Sequence, residues 1–87
     1  MTTITEADVL ADVKAFLIRE FLYMRPDFAL GDEESLLKSG VVDSMGVLEV
    51  LEHLQERFGV LAGDDEVTEA NLGSLRAIAR FVVAKQG

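Results

Sequence analysis

Eighty-seven residues carrying a formal net charge of −8 and no cysteine make one small domain, since chains of about 60 residues already fold alone. A hydrophobic content of 49% excludes disorder, which needs low hydrophobicity together with high charge. The acidity speaks against nucleic acid, whose phosphates call for a basic patch. The lack of cysteine removes disulfides, a thiolate nucleophile and a zinc cluster, so any thiol must come from outside.

The N-terminal stretch Met1-Thr2-Thr3-Ile4-Thr5-Glu6 lacks a basic region followed by an apolar one, so it does not read as a signal peptide. No apolar run nears the ~20 residues a membrane span requires. A cytoplasmic monomer without membrane attachment is expected. The first helix is predicted over residues 5–24. Thr5 is a capping residue with Asp8 three positions on, and Glu6 and Asp8 suit the positive end of the helix dipole. Val9, Leu10, Val13, Phe16, Leu17 and Phe21 recur at spacings of three and four, which gives one apolar face. Pro26 ends the pattern and pushes Arg25 toward extended backbone.

Residues 25–42 form a connection longer than the roughly 2–8 residues usual between packed helices. Phe28, Leu30, Leu36, Leu37, Val41 and Val42 are expected to anchor it, with a short helical turn near residues 32–38. The second helix is predicted over 43–58, with Val47, Val50, Leu51, Leu54 and Phe58 buried and Gly59 as the stop signal. Gly46 in its first turn costs about 1 kcal/mol relative to Ala, which asks for a reason such as close approach by another chain. A loop is predicted over 60–67, then a short helix over 68–72 broken by Gly73. A last helix follows over 74–85, with Ser74 as N-cap and Leu75, Ile78, Ala79, Phe81 and Val82 facing the core. No segment alternates with period two for long enough to demand a strand. The fold predicted is all-α, a four-helix bundle of three long helices and one short, in a single domain over 1–87.

The chemistry-bearing candidate is Ser44, in the run Val41-Val42-Asp43-Ser44-Met45-Gly46, where the long loop feeds the second helix. A hydroxyl there sits at the positive end of a helix dipole, where a phosphate ester is stabilised by about 0.3–1 kcal/mol. An Asp-Ser pair at a helix start is more often a simple cap, but a cap does not need the long loop before it or an acidic helix face after it. Residues 43–58 carry four acids, Asp43, Glu49, Glu52 and Glu56, against Arg57. Residues 74–87 carry Arg76, Arg80 and Lys85 and no acid. The acidic face reads as solvated surface or as a steering field for basic partners. His53, the single histidine, reads as a bystander, since nothing near it in sequence completes a Ser–His–acid set. The runs Asp64-Asp65-Glu66 and Gly31-Asp32-Glu33-Glu34 do not match an EF-hand loop and read as turn and helix-start acids. No metal site is expected, and no paired acid and base suggests an enzyme.

Taken together, Leu37-x-x-Gly40-x-x-Asp43-Ser44-Met45, Glu49, Leu54, the Glu56-Arg57-Phe58-Gly59-Val60 ending, Val67-Thr68 and Ser74-Leu75-x-x-Ile78-Ala79-x-Phe81-Val82 resemble the acyl carrier proteins and their peptidyl-carrier relatives over nearly the whole chain. The resemblance implies a non-catalytic shuttle. A phosphopantetheinyl transferase would attach the 4′-phosphopantetheine arm of coenzyme A to Ser44, and acyl or aminoacyl groups would ride on its thiol as thioesters. It also implies a docking face of Asp43, Met45, Leu48, Glu49, Glu52 and Glu56 for the transferase and for acyl or aminoacyl ligases, acyltransferases or synthases. The Asp-Ser-Met-Gly form looks like that of free-standing carriers of specialised metabolism. A housekeeping fatty-acid carrier, a D-alanyl carrier and an unmodified helical adaptor using the acidic face remain as alternatives.

Overall fold

The structure, a computed structural model, describes residues 4–21 and 31–86, with every side chain in those ranges except that of Ser44. The expected helix end near Pro26 and the anchors Phe28 and Leu30 lie outside the described residues. Four helices follow in order: α1 (Glu6–Phe21), α2 (Ser44–Phe58), α3 (Glu69–Leu72) and α4 (Leu75–Gln86), and the described residues contain no strand. Among the described residues the fold is an all-helical bundle, as the sequence predicts.

Each helix begins where a side chain can satisfy its free amides. At α1, Thr5 and Asp8 cap reciprocally, each backbone N–H donating to the other's side-chain oxygen at 3.2 Å. Thr68 Oγ1 accepts from Asn71 N to start α3, and Ser74 Oγ accepts from Ala77 N to start α4. At the other end of α2, Gly59 takes the left-handed conformation (φ 69°), and its N–H bonds to Gln55 O. That conformation costs glycine nothing sterically.

The apolar faces then close on one another. Val9, Val13 and Leu17 of α1 and Leu75, Ile78, Ala79 and Val82 of α4 are fully buried, and α2 adds Val50 and Leu54. Each large aliphatic side chain so enclosed contributes on the order of 1.5–3 kcal/mol.

The segment 31–42 is fastened by backbone as well as by apolar anchors. Leu36 N donates to Gly73 O and Arg76 N to Asp32 O, both at 2.8 Å, which ties the segment to the corner between α3 and α4. Leu36, Val41 and Val42 are buried as expected, whereas Leu37 is 48% exposed. The turn expected near residues 32–38 is two turns: Glu34 N bonds to Gly31 O at 3.3 Å, and a second turn follows at once. Ser35 caps it through Lys38 N, Ser39 N bonds to Ser35 O, and Gly40 at φ 80° reverses the chain. With the turn wound over residues 35–40, Leu36 faces inward and its neighbour Leu37 faces out.

Two further features depart from the sequence reading. The loop after α2 contains a 3₁₀ turn, Asp64–Glu66, closed by Gly63 N donating to Glu66 Oε1 at 2.9 Å and held by Lys85 Nζ at 2.8 Å. The reason for Gly46 lies within this chain. It is buried, and a Cβ there would meet Val42 Cγ1 at 2.9 Å and Phe21 Cε1 at 3.0 Å. The first turn of α2 therefore lies directly against the end of α1 and the loop.

Candidate functional site

Asp43 is the last extended residue before α2 (φ −102°, ψ −174°), and its Oδ1 accepts the Gly46 N–H at 2.7 Å. Asp43 is thus the N-cap, and Ser44 is the first helical residue. The placement of the Ser44 side chain, expected to point outward, lies outside the described residues. Its two neighbours are exposed, and Met45 leaves 71% of its surface open.

Every described Ser or Thr hydroxyl is engaged in local structure. Thr5, Thr68 and Ser74 cap helices. Ser35 accepts from Lys38 N and donates to Glu69, and Ser39 donates to Leu36 O.

The expected docking residues share the outer side of α2. Met45 and Leu48 are exposed at 71% and 55%, and Asp43, Glu49, Glu52 and Glu56 are exposed as well. Helical spacing stacks 45, 48 or 49, 52, and 56 into one ridge. On the α1 side of that ridge lies an open cleft of about 350 Å³, walled by Glu20, Glu49, Glu52 and Glu56 with Phe16 and Arg19. On the other side lies a cleft of about 290 Å³ with a different lining, Leu48, Leu51, Leu61 and Ala62. A third hollow, about 100 Å³, is bordered by Leu37, Val47, Val67 and Leu72. Most of α4's basic charge is matched within the chain, since Arg76 approaches Asp32 at 3.8 Å and Lys85 pairs with Glu66.

His53, read from the sequence as a bystander to any catalysis, is half-buried and pinned between α1 and α2. Its ring stacks on Phe16 (centroids 4.1 Å, 15° between planes), and Nε2 lies 2.7 Å from Asp12 Oδ2. Arg57 Nε donates to Asp12 Oδ1 at 3.0 Å. Burial alone would raise the Asp12 carboxyl, but hydrogen bonds and charge from His53 and Arg57 overcome that and hold it below its ordinary value. Asp12 lies 41 residues from His53, so no local pattern could have joined them. Glu66 is also held low, by the Gly63 amide first and then by Lys85. Among the described residues no group of His and carboxylates is placed to hold a metal ion, and no helix is long and apolar enough to cross a membrane.

The profile of the phosphopantetheine attachment site family matches residues 15–82, which spans the loop, the start of α2 and every helix at least in part. The chain belongs to this family, that of the acyl carrier domains. No curated protein matches it in sequence. Acyl carrier domains are the site of covalent 4′-phosphopantetheine attachment and interact with phosphopantetheinyl transferases and biosynthetic enzymes.

The residues at the start of α2 fit such a group. The helix end offers a positive dipole to a phosphodiester. Asp43 supplies the cap from the preceding position, and the exposed Asp43 and Met45 leave both flanks open to a large enzyme. When bound, the arm supplies the terminal thiol that a cysteine-free chain lacks.

Proposed function

We propose that Ser44 Oγ is the attachment point of 4′-phosphopantetheine, and that the chain holds acyl or aminoacyl groups as thioesters and passes them between enzymes. The observation that carries this reading is the hydrogen bond from Gly46 N to Asp43. Ser at a helix start is ordinarily explained as a cap, and that role is already filled by Asp43. Ser44 follows that cap as the first helical residue, next to an exposed methionine and an acidic ridge. The remaining described hydroxyls are committed elsewhere.

Activation of the Ser44 hydroxyl falls to the transferase. Met45 and Leu48 supply apolar contact, and Glu49, Glu52 and Glu56 set orientation and encounter rate. The Asp-Ser-Met-Gly form supports a carrier of specialised metabolism as the setting. The test is incubation with coenzyme A and a broad-specificity phosphopantetheinyl transferase, read by intact mass. One phosphopantetheine should be gained by the wild type and none by Ser44→Ala. A folded wild type that gains no mass refutes the assignment.

A further inference from the structure

We infer that the last turn of α4 is a two-point clasp on the loop after α2, and that this clasp sets the width of the two hollows walled by that loop. The inference goes beyond the carrier reading and does not depend on attachment at Ser44.

The first observation is where the contacts fall. Lys85 and Gln86 are consecutive, yet they reach opposite ends of the loop. Gln86 Nε2 donates to Phe58 O at 2.6 Å, on the last residue of α2. Lys85 Nζ donates to both oxygens of Glu66, at 2.8 and 3.0 Å, where the 3₁₀ turn ends. Two side chains from one helical turn thus bracket residues 59–65.

The second is what Glu66 joins. Its Oε1 also accepts the Gly63 N–H at 2.9 Å, and its backbone carbonyl accepts from Asn71 Nδ2 of α3 at 2.9 Å. The 3₁₀ turn, α3 and α4 therefore meet at this one residue. Lys85 is itself held in place, its ammonium 5.8 Å from the centre of the Phe81 ring on its own helix, within cation–π range.

The third is what the clasp controls. Of residues 59–65 only Val60 is buried, so apolar burial does little to hold this loop. A segment with few buried contacts opens locally, at a free energy set by its remaining ties. Val60, Leu61 and Ala62 wall the cleft of about 290 Å³ opposite Leu48 and Leu51. Val67 and Thr68 border the hollow of about 100 Å³ with Leu37 and Val47. Glu66 stands between these two stretches of chain, so release there loosens both walls together. The Lys85 and Glu66 side chains are 35% and 31% exposed. The pair is therefore screened by salt and readily broken. Ionic strength, or loss of the Lys85 charge, opens the loop while the bundle stays folded.

The experiment is amide–water exchange read by NMR on the ¹⁵N-labelled protein. Wild type is compared with Lys85→Met, Lys85→Arg, Gln86→Ala and the Lys85→Met, Gln86→Ala double variant. The reporter is the Gly63 amide, whose acceptor is the Glu66 carboxylate, and the buried Val13 and Ile78 are the controls. Lys85→Met should speed Gly63 exchange by about 2–5-fold, the range an exposed ion pair supports. Lys85→Arg should stay close to wild type, and the double variant should exceed either single one. Raising salt from about 20 mM to about 500 mM should speed Gly63 in the wild type and not in Lys85→Met. Nile red, an uncharged apolar dye, should emit more strongly with the double variant than with the wild type. Unchanged Gly63 exchange in Lys85→Met overturns the inference. Equal acceleration at Gly63, Val13 and Ile78 overturns it too, because the two residues would then serve only the stability of the whole bundle. Faster Gly63 exchange with unchanged dye emission would overturn the link to the hollows.

Discussion

His53 Nε2 donates to Asp12 Oδ2 at 2.7 Å, and this contact fastens α2 to α1 beside the acidic cleft. Arg57 adds a second hydrogen bond to the same carboxylate, and the Phe16 ring covers one face of the imidazole. The Asp12 carboxyl has a lower pKa folded than unfolded. Its contribution is therefore complete above the ordinary carboxylate value of about 3.9 and is lost as pH falls through the lower folded value.

Asp12→Asn should lower the melting temperature at neutral pH by about 4–8 °C for each kcal/mol removed, with about 1–2 kcal/mol expected for a charged hydrogen-bonded group. It should also flatten the loss of stability below about pH 4. Thermal melts of both proteins from neutral pH into acid read this. Identical acid slopes would show that Asp12 carries no such linkage.

Gly46→Ala tests the fit between α2 and its neighbours. Alanine gains about 1 kcal/mol of helix propensity. The new methyl, however, meets Val42 Cγ1 at 2.9 Å, Phe21 Cε1 at 3.0 Å and Asp43 Oδ1 at 3.3 Å. Overpacking of this kind costs about 1–3 kcal/mol, so the net result should be a loss of about 1 kcal/mol in denaturant unfolding. A gain in stability would mean that the Phe21 ring moves aside freely.

The helices, caps and core stripes were legible from the sequence because each is encoded within a few residues. Thr5 with Asp8, Ser74 before Leu75, Gly59 after Phe58, and the buried set Leu75, Ile78, Ala79, Phe81 and Val82 all follow from local chemistry and helical period. The features missed are those joining distant segments. The Asp12–His53–Arg57 link spans α1 and α2, and the burial of Gly46 depends on Phe21. Leu37, expected to be an anchor, proves exposed, because the turn over residues 35–40 that Gly40 closes sends Leu36 inward and its neighbour out. At the candidate site, the exposed acidic ridge was legible, whereas the apolar cleft behind Leu48 required the path of the following loop.

Charge along α2 should act on encounter more than on the complex. The kcat/KM for loading is expected to fall several-fold between about 20 mM and about 150 mM salt, because the Debye length shrinks to about 8 Å across that range. A Glu49→Gln, Glu52→Gln double variant should be slower at low salt and nearly indifferent to salt. A wild-type rate that does not change with salt would remove steering from the mechanism while leaving Ser44 in its role.

Asp43 holds two roles that substitution can separate. Its carboxylate caps α2 through Gly46 N, and it also stands exposed beside Ser44, the proposed attachment residue. Asp43→Asn keeps an oxygen able to cap, so stability should change by less than about 0.5 kcal/mol, whereas Asp43→Ala should lose about 1 kcal/mol. If the charge also serves docking, both variants should slow loading by a similar factor, with the asparagine variant as stable as wild type. If loading falls only in the alanine variant, in step with its melting temperature, Asp43 acts through the helix start alone, and recognition by the transferase rests on Met45 and the residues after it.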